Sequence, residues 1–185
     1  ATSAMRESTN GQQVADEVYK RTGVRIDIID GAEEASIIAS TDISSLIQKD
    51  KDYLYIDVGG GSTEFTVFSK GKVKKSRSFP IGTVRLLDNK VSNKTWEEVE
   101  HWIKKHTKDC EHIEAIGSGG NINKIHKNSN SREGEPLSYQ YLTDYLNYVS
   151  GFTYDERIRL LGFNPDRAVQ KGEIITAPIE HKTLY

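Results

Sequence analysis

The stretch "DYLYIDVGGGSTEFTVFSKG", residues Asp52 to Gly71, sets an acid, three consecutive glycines, two hydroxyl side chains and a second acid between two β-rich runs. A hairpin turns on one or two glycines. Three in a row, preceded by Asp57 and followed by Ser62, Thr63 and Glu64, describe a loop whose backbone must come close to something. Around it lie three strand candidates, Tyr53 to Val58, Glu64 to Phe68 and Lys72 to Phe79, with Gly61-Ser62 and Lys70-Gly71 near the turns. They predict a β-meander.

Upstream, Gln12 to Arg21 carries Val14, Val18 and Tyr19 at helical spacing, and Val24 to Ile29 alternates like a strand that ends before Gly31. "GAEEASIIASTDISSLIQ", residues 31–48, reads as a helix with Glu33 and Glu34 in its first turn, where the macrodipole favours acids. Downstream, "NKTWEEVEHWIKKHTKD", residues 93–109, is an amphipathic helix with Trp96, Val99, Trp102 and Ile103 on one face and Asn93 or Thr95 as its cap. His112 to Ile116 is a short strand ending in "GSGGNINKIHK", a second glycine loop that opens a helix. Residues 127–135 are polar, and residues 137–168 read as helical with interruptions at Gly151 and Asn164-Pro165. This alternation predicts an α/β fold. Both glycine loops fall where strands end, at one edge of a sheet, which is where such folds bind ligands.

Composition bounds the chemistry. The 185 residues are 36% hydrophobic and 28% charged, with a formal net charge of −2, so a polyanionic partner must be met by a local site rather than by a global basic field. That balance points away from nucleic acid as a partner. No apolar run could span a membrane. One cysteine, Cys110, excludes an internal disulfide and suits the reducing cytoplasm. The five histidines are scattered, and His101 and His106 lack the spacing that would bring two metal ligands together. The start "ATSAMRES" and the end "IEHKTLY", just after the apolar run Ile174 to Ile179, suggest a piece of a longer protein.

Successive peptide N–H groups in a glycine-rich turn form an anion-binding nest, to which the Ser62 and Thr63 hydroxyls can add donors. Phosphate suits such a nest. Asp57 could hold a hard cation such as Mg²⁺, with Glu64 sharing the task. Each feature also has a plain alternative: Gly59-Gly60-Gly61 as a loose hairpin, Asp57 as a turn cap, Glu33 and Glu34 as ordinary first-turn charges, and Gly117-Ser118-Gly119-Gly120 as a strand-to-helix turn. Lys72, Lys74, Lys75 and Arg77 read as a solvated strand edge, and Trp96 and Trp102 as core.

Taken in order, "ATSAMRESTNG", "IIDGAEEASII", "YLYIDVGGGSTEFTVF", "SFPIGTVRL" and "IEAIGSGGNINKI" resemble the exopolyphosphatase and guanosine pentaphosphate phosphohydrolase (Ppx/GppA) family, within the actin, sugar kinase and heat-shock ATPase superfamily. The resemblance covers nearly the whole chain. It implies a ribonuclease-H-like lobe, a mixed sheet with flanking helices, that faces a second such lobe across an active-site cleft. It divides the chain into the tail of a first lobe with its connecting helix, residues 1–42, and a second lobe, residues 43–185. The implied activity is Mg²⁺-dependent hydrolysis of the terminal phosphoanhydride of polyphosphate or guanosine pentaphosphate, in a parent protein that can form a homodimer. Carried over by motif, Glu34 is the general base, Asp57 and Glu64 position metal and water, and Gly59, Gly60, Gly61, Ser62 and Thr63 form the phosphate loop. Gly117, Ser118, Gly119 and Gly120 form the second loop, and Arg6 lies near the cleft. Two departures from the family pattern stand out. The amino-terminal strand and its glycine loop are absent from this stretch, which leaves a non-catalytic polyphosphate or alarmone binding module as the alternative. Asn121 also stands where many relatives carry threonine.

Overall fold

The computed structural model describes residues 1–165 and Ala168, apart from Ala32, Ala35, Ser36, residues 38–45 and Glu133. Four strands form one sheet: β1 (Asp52–Val58), β2 (Thr63–Ser69), β3 (Lys72–Phe79) and β4 (Ile113–Ser118), in the order β3-β2-β1-β4. The meander pairs β1 with β2 and β2 with β3 antiparallel, and β4 returns beside β1 in parallel. A parallel neighbour needs a long crossover. Here the chain between β1 and β4 supplies β2, β3 and two helices, α3 (Thr83–Leu87) and α4 (Asn93–Thr107). The result is the mixed α/β sheet with flanking helices expected of a ribonuclease-H-like lobe.

Side chains alternate across the strands, so β1 sends Leu54 and Ile56 to one face and Tyr53, Tyr55 and Asp57 to the other. On the first face Leu54, Phe65, Val67, Phe79 and Ile113 pack with Leu86 of α3 and with Val99, Trp102 and Ile103 of α4. Phe79 sits edge-on both to Phe65, with centroids 5.7 Å apart, and to Trp102, at 6.1 Å, the arrangement aromatic quadrupoles favour. The opposite face carries Tyr53, Tyr55, Phe68 and Ile116, with Ile47 against them. A smaller cluster, Ile125, Leu137 and Leu142, joins α5 (Gly120–Asn128) to α6 (Tyr139–Ser150). The chain continues after Gly151 into α7 (Tyr154–Arg159), whose start is closed by a Thr153–Glu156 capping box.

The meander, the helix expected at Gln12 to Arg21, here α2 (Gly11–Thr22), the amphipathic helix and the interruption at Gly151 stand as expected. Four details differ. Val24 to Ile29 joins no sheet: no strand among the described residues pairs with it, and its backbone bonds instead to the chain start, Ile29 N to Ala1 O at 3.0 Å. The cap of α4 is Ser92, whose Oγ accepts from Thr95 N, because the helix begins at Asn93. β4 runs two residues past Ile116, since Gly117 and Ser118 still pair with β1. Two short helices, α1 (Ser3–Glu7) and α3, follow no hydrophobic period long enough to reveal them. In the 31–48 segment Gly31, Glu33, Glu34 and Ile37 are helical; its other residues up to 45, the 42/43 boundary and the run Ile174 to Ile179 lie outside the described residues.

Candidate functional site

Strand register assembles the site. Asp57 lies opposite Glu64 on one side and Ser118 on the other, and Glu64 lies opposite Ser78. Ser78, Glu64, Asp57 and Ser118 therefore form a single polar row across all four strands, on the face away from α4. Glu64 is 4% exposed, and its Oε1 accepts from Ser62 Oγ at 2.6 Å and Ser78 Oγ at 2.8 Å. Those two hydroxyls compensate the burial of the carboxyl group. Burial pushes Asp57 above the usual carboxylate range, against the opposing pull of its Ser118 hydrogen bond.

Glu34 faces this row. Its helix starts at Asp30, whose Oδ1 accepts from Glu33 N at 2.8 Å while its carbonyl accepts from Glu34 N at 3.0 Å. Of the two adjacent acids Glu33 is exposed and Glu34 half-buried, as a 100° step per residue requires. Burial and then the charge of Glu64 raise the Glu34 pKa, with a further push from Asp57, while Arg6 and the chain-start amine pull it down. Its Oε2 is buried and has no hydrogen-bond partner among the described residues. Arg6 itself, on α1, donates to Ile29 O at 2.7 Å.

The glycine loop has a defined polarity. Gly59 N bonds Ser62 O at 2.9 Å, closing the turn, and Thr63 Oγ1 donates to Ile81 O at 2.7 Å. The Gly59 amide and the Thr63 hydroxyl are thus engaged within the protein. The amides of Gly60, Gly61 and Ser62 make no hydrogen bond among the described residues. Gly82 presses on this loop: a Cβ there would lie 2.3 Å from Gly60 O, so only glycine allows the approach. The second loop meets the end of β1, where Gly119, at φ +109°, would put a Cβ 2.5 Å from Val58 O. Gly120 opens α5, and the next residue, Asn121, holds a buried Oδ1 with no partner among the described residues. The two glycine loops, the three acids and Arg6 are therefore gathered at one end of the sheet. Sequence reasoning assigned no role to Ser78, Gly82 or Arg85; for all three the only signal was their place inside "SFPIGTVRL".

A family model described as the Ppx/GppA phosphatase family matches residues 1–176. The chain belongs to this family. Ppx/GppA membership accords with the order of the motifs and with their convergence on one end of the sheet. Among curated proteins, the chain is 36% identical over 125 residues to a bifunctional 3-dehydroquinate synthase/phosphatase of Fusobacterium nucleatum, covering 63% of this chain and 19% of that protein. It is 22% identical to exopolyphosphatase 1 of Mycobacterium leprae, over 92% of this chain and 56% of that protein. The chain thus spans between a fifth and somewhat over half the length of these relatives. An exopolyphosphatase crystal structure from Cytophaga hutchinsonii superposes with a TM-score of 0.76 at 21% identity, covering 99% of this chain and 68% of that one, which shows a shared fold.

No group of three or more His, Cys, Asp or Glu side chains among the described residues is arranged to hold a metal ion alone. The donor set still suits Mg²⁺, which takes one or two carboxylates and completes its shell with water and substrate phosphate. Among the described residues no helix is long and apolar enough to cross a membrane.

Proposed function

We propose that this site hydrolyses the terminal phosphoanhydride of a polyphosphate chain or of guanosine pentaphosphate. The observation that carries the reading is Glu34: a half-buried carboxyl with a raised pKa and an Oε2 that has no partner among the described residues, facing Asp57 and Glu64. A general base needs a free lone pair and a pKa moved toward neutrality, and this carboxylate has both. Water placed between Glu34 and the terminal phosphorus gives its proton to Oε2 as its oxygen attacks. The bridging P–O bond breaks, the shortened chain leaves as a phosphate oxyanion, and inorganic phosphate is the second product. The amides of Gly60, Gly61 and Ser62, unbonded among the described residues, donate to the equatorial oxygens, where charge must be stabilised. Asp57 and Glu64 would hold Mg²⁺, which supplies charge neutralisation for the phosphates. The name of the Mycobacterium leprae relative supports polyphosphate as the substrate class. A reducing cytoplasm fits the single Cys110.

The test is Mg²⁺-dependent phosphate release from polyphosphate and from guanosine pentaphosphate by the protein and by its Glu34→Gln variant. The substitution keeps the shape and removes the base, so kcat falls by about 10² to 10⁴. Binding of either substrate without turnover by the folded protein would replace the hydrolase with a binding module.

A further inference from the structure

Three successive carbonyls of the glycine run accept hydrogen bonds from three successive residues of the "GTVR" segment. Thr83 N donates to Gly59 O at 3.1 Å, Val84 N donates to Gly60 O at 2.9 Å, and the Arg85 side chain donates through Nε to Gly61 O. In a planar trans peptide the C=O and the next residue's N–H point in opposite directions. The three fixed carbonyls therefore belong to the same peptides as the amides of Gly60, Gly61 and Ser62, the three that make no hydrogen bond among the described residues. Holding those carbonyls toward α3 turns those amides outward.

Two of the three contacts come from the backbone N–H groups of Thr83 and Val84 and do not use their side chains. The third depends on Arg85 alone. Arg85 also pairs through Nη2 with Glu7 of α1, the helix that carries Arg6 and whose Ser3 Oγ lies 2.9 Å from where a Gly61 Cβ would be. One guanidinium thus ties the last peptide of the loop to the helix on its other side, using the forked donors that lysine lacks.

We propose that Arg85 is a positioning residue of the phosphate loop: it fixes the Gly61–Ser62 peptide with the Ser62 N–H outward, ready for a phosphoryl oxygen, and locks the loop to α1 through Glu7. This rests on the phosphate-binding role proposed above. Without Arg85 the peptide between a glycine and a serine can rotate at small cost, because glycine tolerates the flipped conformation. The Ser62 amide then samples both sides of the loop.

The experiment titrates inorganic tripolyphosphate into the isotope-labelled protein, follows the amide resonances of Gly60, Gly61 and Ser62, and measures hydrolysis kinetics in parallel. The proteins compared are the wild type, Arg85→Ala, Arg85→Lys and Glu7→Gln. In the wild type all three amides move. In Arg85→Ala the Ser62 amide loses its response while Gly60 and Gly61 keep theirs, and affinity falls about tenfold, the loss of one charge-assisted contact. KM rises more than kcat falls. Arg85→Lys recovers part of the affinity, since an ammonium can reach Gly61 O or Glu7 but not both. Glu7→Gln shows a smaller loss because the bond to Gly61 O remains. An Arg85→Ala protein whose Ser62 amide and KM match the wild type overturns this inference and leaves the phosphate site standing. A wild type whose loop amides do not respond, and which releases no phosphate, overturns both.

Discussion

At the residue scale the decisive group is Glu34. Its carboxyl combines a raised pKa with an oxygen that nothing among the described residues satisfies, and both features cost stability. Because the folded pKa lies above the ordinary glutamate value, Glu34 contributes stability that is complete below that value and lost as pH rises through the folded pKa. Glutamine does not ionise. The Glu34→Gln protein should therefore match the wild type near pH 4 and become the more stable of the two as pH rises to 8, as read by thermal melts across that range. An advantage that shrinks with rising pH would contradict the raised pKa. Asp57, raised by burial as well, gives the same sign in Asp57→Asn. Glu34, Asp57 and Glu64 were legible one by one, from glycine loops beside acids and from the family motifs. Ser78 was not, because its role exists only through the register that places it opposite Glu64.

At the element scale the site depends on a loop and a short helix that stabilise each other. Gly82 allows α3 to start against the glycine run, and its φ of −161° is ordinary extended backbone, so contact and not conformation demands glycine there. A Cβ at this position would meet Gly60 O at 2.3 Å and Gly61 N at 2.7 Å, all backbone atoms. Gly82→Ala should cost about 1–3 kcal/mol, the range for an overpacked site, measured by urea unfolding. It should also weaken tripolyphosphate binding beyond what the loss of stability explains. An alanine variant with wild-type stability and affinity would show that the loop shifts freely. Among the strands, Val24 to Ile29 shows how local pattern misleads: its alternation is real, with Ile26 and Ile28 half-buried and Val24 exposed, yet no strand among the described residues pairs with it. Alternation reports which side is covered, and ladder partners are a separate condition.

At the scale of the whole molecule, the sheet is held from behind by α4 while its other face carries the acids. Trp102 is the centre of that support, 5% exposed and in ring contact with Phe65, Phe79 and His106. Trp102→Ala should cost about 3–5 kcal/mol, a large share of the roughly 5–15 kcal/mol that keeps a domain folded. The urea midpoint should fall accordingly, and the row Ser78, Glu64, Asp57 and Ser118 should lose its alignment before the chain is fully unfolded. A midpoint within error of the wild type would move the core elsewhere. The basic strand β3 forms the opposite limit. Its residues sit on a sheet edge, Arg77 pairs with Glu98 at 3.1 Å and lies over the Phe79 ring, and Lys74 approaches Asp109 at 3.8 Å, so the plain solvated-edge reading holds there.

The sequence by itself determined the α/β class, the β-meander, the amphipathic helix and the family, because periodicity and glycine placement are local properties that survive without long-range contacts. It also named the three acids and both glycine loops. Only the tertiary structure decided that Asp57, Glu64, Ser78 and Ser118 share one row, that the Glu34 chosen by motif faces it, and that Thr83, Val84 and Arg85 set the direction of the loop amides. Each of these is a statement about register or about backbone from distant segments in contact, and a one-residue slip would reverse it without changing a single letter of the motifs.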